Sequence, residues 1–260
     1  MSEPVAVTGR TRDLVIWADK FILGFSRHWL LVITLLLGVW IGLPLLAPVL
    51  MQLGWSGAAS LIYAVYAPQC HQLPQRSYFL FGQQPTYSLA EIQAAWKNTN
   101  DPMLLRQFVG NARMGWKVAW SDRMVSMYTS LFFFGLAWSA LGRRVRRLPW
   151  WGLLLLLAPM ALDRTTHLLS DLAGIGQGFR DRNAWLATLA GQALPASFYA
   201  GDALGSFNSW MRIISGVLFG LGVVWFGFPY LAEGFDDIRA QLEPRLRRIG
   251  AIPSPKGTYG

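Results

Sequence analysis

Four apolar runs of bilayer length, at about 29–50, 123–141, 150–169 and 210–231, limit what this chain can fold into. A helix rises about 1.5 Å per residue, so roughly 20 apolar residues cross a hydrocarbon core about 30 Å thick. In that core the backbone polar groups need partners, and a helix supplies them within one segment. Composition agrees: 53% of the residues are hydrophobic and 14% charged, against about a quarter charged in an ordinary soluble domain. The expected fold class is an all-α integral membrane protein with about four transmembrane helices and two outer loops containing short helices.

Around these runs the chain divides into three parts. Residues 1–28 form a cytoplasmic or interfacial N-terminus, polar and loose over 1–12 and without a signal-peptide pattern. From Asp13 onward, Leu14, Trp17, Phe21 and Phe25 recur at helical spacing among Asp19, Lys20 and Arg27, as in a helix lying at a membrane surface. Residues 29–232 are a single polytopic membrane domain, with outer loops 51–122 and 170–209. Pro44 and Pro48 fall in its first span. Residues 54–68 suit an interfacial or re-entrant helix. Ser88 and Glu91 make a capping box that opens a helix through about Lys97. A second helix is expected over Pro102 to Val109, ended by Gly110, and the second loop has an apolar segment at 184–194. Residues 233–260 are a basic cytoplasmic tail.

The formal charge of +9 is not read as a nucleic-acid footprint before it is placed against the membrane. Arg143, Arg144, Arg146 and Arg147 crowd the short link between the second and third spans, which puts that link inside. The N-terminus (Arg10, Arg12, Lys20, Arg27) and the C-terminus (Arg239, Arg245, Arg247, Arg248, Lys256) then fall inside as well. A multi-pass protein of a prokaryotic plasma membrane with both termini cytoplasmic is the expectation.

That topology gathers polar residues at the outer face. Cys70-His71-Gln72-Leu73-Pro74-Gln75-Arg76-Ser77-Tyr78-Phe79 lies there, with Arg123, Asp163, Arg164, His167 and Arg212 at the outer ends of later spans. Ionisable groups at membrane depth are expensive and count as functional-site candidates. The lone Cys70 excludes an internal disulfide and a self-contained thiolate zinc cluster.

Cys70-His71-Gln72-x-Pro74-x-Arg76-Ser77-x-Phe79, Arg123 five residues before Tyr128, Asp163 in the next span and Arg212 near the start of the last together carry a resemblance. They resemble an uncharacterised prokaryotic family of predicted membrane proteins, domain of unknown function 2085, over roughly residues 28–232. In that family a second Cys-x-x-Cys-like motif precedes the tyrosine, which implies a metal or redox site with Cys70 and His71. Here the matching segment is Trp120-Ser121-Asp122-Arg123-Met124, without cysteine. The chain resembles a divergent member lacking the second cysteine motif, with an inserted stretch at about 85–119. The resemblance implies an architecture and a polar cluster, and no activity.

Three functional readings follow from the residues. In the first, Arg76, Arg123 and Arg212, with Gln72, bind an anionic lipid or another phosphate-bearing group, because guanidinium forks match phosphate and carboxylate. Asp163 would orient them or serve as a base, and His71 would carry a proton; these two are the catalytic candidates, although an enzyme is not the favoured expectation. In the second, the protein is a non-catalytic accessory subunit of a membrane complex. The arginines then pair with Asp122, Asp163, Asp171 or Asp202 and only lock the spans together. In the third, Cys70, His71 and His167 hold a metal ion, helped by Asp163, four residues before His167 on the same helix face. No cofactor is otherwise predicted. The expected partners are the lipid bilayer, an anionic lipid or a membrane-complex partner, and no nucleic acid. Ser77, Ser121 and Ser126 belong to no nucleophile motif, and no glycine-rich phosphate loop is present.

Overall fold

The computed structural model describes residues 9–253. Residues 1–8 of the expected loose N-terminus, and Lys256, lie outside the described residues. Helix α1 (Arg10–Gln52) and helix α10 (Phe207–Arg248) are 43 and 42 residues long. Each is about 63 Å in length, twice the hydrocarbon core. The amphipathic stretch and the first span are therefore one helix, broken only by non-helical angles at His28 (φ −120°, ψ 17°). Pro44 and Pro48 sit inside α1 without ending it. The first half of α1 runs beside the last turns of α10. Trp29 stacks on Phe235 at 5.3 Å and meets Phe228 edge-on at 5.6 Å. Arg27 pairs with Glu243 at 3.0 Å, and Asp19 faces Arg245 at 3.6 Å. The two helices make a stalk at one end of the bundle.

Helix α5 (Asp122–Leu141) lies along α10 through small residues. Gly216 and Gly220 face Ser126 and Ser130, and Ser130 Oγ donates to the Gly216 carbonyl at 3.2 Å. A Cβ on Gly220 would stand 2.7 Å from the Leu131 nitrogen, so the two backbones meet only because no side chain intervenes. Helix α6 (Trp150–Asp171) packs elsewhere on α10, where Gly222 faces Leu153 and Leu156. α5 and α6 each run along α10 and scarcely touch one another.

Among the described residues, α1, α5 and α10 are long and apolar enough to cross a membrane. α6 has the length, about 33 Å for 22 residues. Asp163, Arg164 and His167 make its last turns polar. Its exposed Leu154, Leu155 and Leu162 suit a lipid environment. The expectation of about four spans thus meets three helices of clear bilayer character and a fourth whose end carries chemistry.

The other end of the bundle departs from the all-α expectation. After α2 (Ser56–Tyr66), strands β1 (Ser77–Leu80), β2 (Gly110–Asn111) and β3 (Gly115–Ser121) form an antiparallel sheet in the order β1-β3-β2. The turn into β3 is an Asx turn: Asn111 Oδ1 accepts from the Arg113 and Met114 nitrogens. Gly115 sits at φ +76°, where a Cβ would also strike the backbone of Leu80 and Gly82. Within the 82–119 segment, helix α3 (Leu89–Ala95) opens with the expected Ser88/Glu91 capping box, and Asp101 caps the short α4 (Pro102–Leu105).

Leu73, Phe79, Tyr87, Ile92, Leu105, Phe108 and Ile175 pack into a core of their own. Tyr63, Tyr66, Cys70, Val118 and Trp120 join this region to Ile41 and Ala47 of α1. The second loop holds α7 (Phe179–Arg182), α8 (Ala184–Leu189) and α9 (Ala196–Tyr199).

Lys117 on β3 is fully buried, and its Nζ donates to the carbonyls of Gln72 at 2.8 Å and Arg106 at 2.9 Å. Burial lowers its pKa to about 7, with Arg106 also lowering it and Cys70 opposing.

Candidate functional site

At the sheet end, parts of the chain far apart in sequence meet through charge. Arg76, closing the turn Pro74–Arg76, forks onto Asp171 at the end of α6 with bonds of 2.7 and 2.8 Å. Its Nε donates to Asp202 Oδ2 at 2.7 Å. Arg212, in the second turn of α10, binds both carboxylate oxygens of Asp122 at 2.8 Å, and Asp202 Oδ1 and its carbonyl at 2.6 Å. Asp122 opens α5, where a carboxylate also suits the positive end of the helix.

Arg123 Nη2 donates to Asp163 Oδ2 at 2.6 Å, and Arg180 Nη2 donates to Asp163 Oδ1 at 2.7 Å. Arg180 is further held by Asn208 Oδ1 and Thr166 Oγ1, both at 3.0 Å. Asp202 therefore joins Arg76 to Arg212, and Asp163 joins Arg123 to Arg180.

Four arginines face four aspartates, and most of them are almost wholly buried. Buried ions survive only when paired and hydrogen-bonded, because the idealised cost of dehydrating one is tens of kcal/mol. The neighbours set the protonation states accordingly. Burial alone would raise the Asp202 pKa, but Arg76 and Arg212 hold it well below the usual carboxylate range. Burial alone would lower the Arg76 pKa, but Asp202 and Asp171 raise it. Asp202 and Arg76 are thereby held in their ionised forms at neutral pH.

A cleft of about 440 Å³ opens beside this network. Arg76, Arg123, Arg212 and His71 face it, and α6 contributes Arg164, His167 and Asp171. Ala67, Pro68, Met124 and Leu168 add apolar lining beside these groups. Three donor groups here are uncommitted. Arg164 is exposed and has no ion pair among the described residues. Arg123 bonds through Nη2 alone, and its Nε is buried without an acceptor. His167 is 4% exposed and its Nε2 lies 3.3 Å from Arg180 Nη2. A guanidinium only donates, so Nε2 accepts and Nδ1 keeps its proton, buried without a partner.

The candidates named from the sequence separate into distinct roles. Arg76 and Arg212, expected as ligand clamps, have their forks filled by aspartates. Gln72 is buried at φ +51°, and its Nε2 donates to the Tyr63 carbonyl at 2.9 Å rather than facing the cleft. Asp163 has both oxygens occupied by arginines, which suits an orienting role and not that of a base. His71 does face the cleft, and its Nδ1 accepts from the Leu73 nitrogen at 3.3 Å. The ring is exposed to the cleft, yet desolvation by the surrounding protein and then Arg76, Arg123 and Arg212 lower its pKa to about 3, so at neutral pH it is an uncharged donor through Nε2 and a poor proton carrier.

Cys70 Sγ is buried and accepts from the Gln72 and Ser121 nitrogens, both at 3.4 Å. Among the described residues, no three of His, Cys, Asp or Glu are grouped to hold a metal ion. Cys70, His71 and His167 are therefore not grouped as the metal set of the third reading.

Arg180, Asn208 and Asn183 were not among the candidates. Asn183, at φ +41°, donates to the Arg180 and Tyr199 carbonyls and so fixes the loop that presents Arg180. The available signal was the polar run Arg180-Asp181-Arg182-Asn183 inside a mostly apolar loop.

Residues 112–226 match the model of the family Predicted membrane protein (DUF2085). This is the family whose resemblance the motifs carry. The matched segment includes Arg123, Asp163, Arg180, Asp202 and Arg212, hence most of the ionic network, and begins after Cys70, His71 and Arg76. Searches of curated proteins and of solved structures found no match. The chain is a mostly helical predicted membrane protein of unknown molecular function, with a small sheet at one end.

Proposed function

We propose that the cleft binds a phosphate- or carboxylate-bearing anion at the outer face of a prokaryotic plasma membrane, with both termini cytoplasmic. The observation that carries this reading is the set of uncommitted donors around one cavity: the Arg164 guanidinium, Arg123 Nε and His167 Nδ1. Charge-assisted bonds from guanidinium to phosphate are short and strong, and buried donors without acceptors are costly until one arrives. His71 adds a neutral donor. Arg76, Arg180 and Arg212 hold the spans and loops in register and so keep the cleft in shape. The readings as an accessory subunit and as a binding protein share this architecture and differ only in whether the cleft is occupied. No residue here is assigned a catalytic step.

The test is a thermal-shift titration in mild detergent, offering the same glycerol-phosphate group as soluble glycerol 3-phosphate or as phosphatidylglycerol. At least one of the two should raise the unfolding temperature of the parent and do so much less for Arg164→Gln. If neither raises it, or if Arg164→Gln and Arg123→Gln respond like the parent, the reading fails.

A further inference from the structure

The shape of the cleft bears on where such an anion comes from. α5 and α6 pack on different faces of α10 and scarcely meet, and at the sheet end Arg123 of α5 reaches Asp163 of α6. The cleft is lined by Arg123 and Met124 of α5 and by Arg164, His167 and Leu168 of α6, so it lies between the sheet ends of these two helices.

Polarity is divided across it. Its wall carries guanidinium and imidazole groups next to the apolar Leu168, Met124, Ala67 and Pro68. Leu168 is 63% exposed, on a helix whose other exposed leucines suit lipid. Arg164 is exposed one helical turn before Leu168 on the same face, so the uncommitted guanidinium stands on the wall that meets hydrocarbon. A cation in that position is expensive unless a phosphate meets it.

We infer that the anion is the phosphate of an outer-leaflet lipid, which reaches the cleft sideways between α5 and α6 with its acyl chains left in the bilayer. This rests on the anion-binding reading and adds the class of ligand and its route. A soluble anion would need no apolar wall. A lipid phosphodiester uses the cationic groups and the exposed apolar residues beside them together. The lipid also reconciles Arg164 with its lipid-facing helix, which a water-borne ligand does not.

The full chain, with the variants Arg164→Gln and Leu168→Trp, is reconstituted in phosphatidylcholine nanodiscs containing phosphatidylglycerol. Lipid retained after transfer to mild detergent is measured by native mass spectrometry, and glycerol 3-phosphate and inorganic phosphate are titrated in parallel. The parent is expected to retain phosphatidylglycerol, and Arg164→Gln to retain about tenfold less, as for loss of one charge-assisted bond. Leu168→Trp, which enlarges an apolar wall residue and removes no donor, should also lose the lipid while any binding of glycerol 3-phosphate persists. Soluble phosphate bound in an Arg164-dependent way, with no lipid retained or with retention indifferent to Leu168→Trp, overturns the lipid inference and leaves the anion site standing. Equal lipid retention in parent and Arg164→Gln, with no soluble anion bound, overturns both.

Discussion

Removing Arg212 should destabilise the protein far more than removing the unpaired Arg164 from the cleft wall. Its side chain is 2% exposed and makes five charge-assisted bonds, three to Asp122 and two to Asp202. In Arg212→Met, Asp202 keeps Arg76, but Asp122 keeps only the Arg123 amide, at 2.8 Å. A buried carboxylate is then left without a cation, which typically costs about 3–5 kcal/mol. For a chain of this length that corresponds to a fall of about 6–20 °C in unfolding temperature.

The double variant decides whether the loss comes from the orphaned charge or from lost packing. Asp122→Asn removes the charge that Arg212→Met strands, so the two together should cost less than the sum of the single variants, by about 2 kcal/mol. The assay is tryptophan-monitored unfolding of all four proteins in one detergent. An Arg212→Met protein within about 0.5 kcal/mol of the parent, or strictly additive losses, would refute the claim that the network is an interdependent lock.

Other expectations follow from the same geometry. Gly220→Val should force α5 from α10 against the Leu131 backbone and cost about 1–3 kcal/mol, read as a lower unfolding temperature. Lys117 has a folded pKa of about 7 against an ordinary 10.5. The unfolded chain therefore holds a proton that the folded chain lacks between those values, and stability should rise with pH across that window. In Lys117→Met that rise should disappear from the pH dependence of unfolding. For His71, with a folded pKa of about 3 against 6.5, stability should be fully present above about pH 6.5 and fall as pH drops toward 3. Its proton NMR signals should not titrate between about pH 6 and 8, and ligand retention should stay level over that range.

Apolar runs of bilayer length and the Ser88/Glu91 capping box were legible because hydrophobic span length and cap chemistry are local. Asp122, Asp163, Asp171 and Asp202 were also legible as arginine partners, since acids at membrane depth need cations. The pairing was not, because it depends on how α5, α6 and α10 pack in three dimensions. Arg76 and Arg212 looked like clamps by position, and only the structure shows their forks closed on Asp171, Asp122 and Asp202. Arg180 escaped notice because its loop is brought to Asp163 by tertiary bonds to Thr166, Ser170 and Asn208 that no local pattern announces. The sheet was missed because β1 and β3 are short, lie far apart in the chain, and their Trp116-Lys117-Val118 stretch buries a lysine where alternation predicts an exposed one.

The most direct test compares Arg164→Gln with Arg212→Met in a single phosphorus NMR experiment that counts lipid phosphate retained per protein after extensive detergent exchange. The account predicts that Arg164→Gln loses the retained phosphate and unfolds at the temperature of the lipid-free parent, whereas Arg212→Met unfolds well below it. Parent-level phosphate in Arg164→Gln, or a parent preparation free of phosphate that stays so when phosphatidylglycerol and glycerol 3-phosphate are offered, would contradict it.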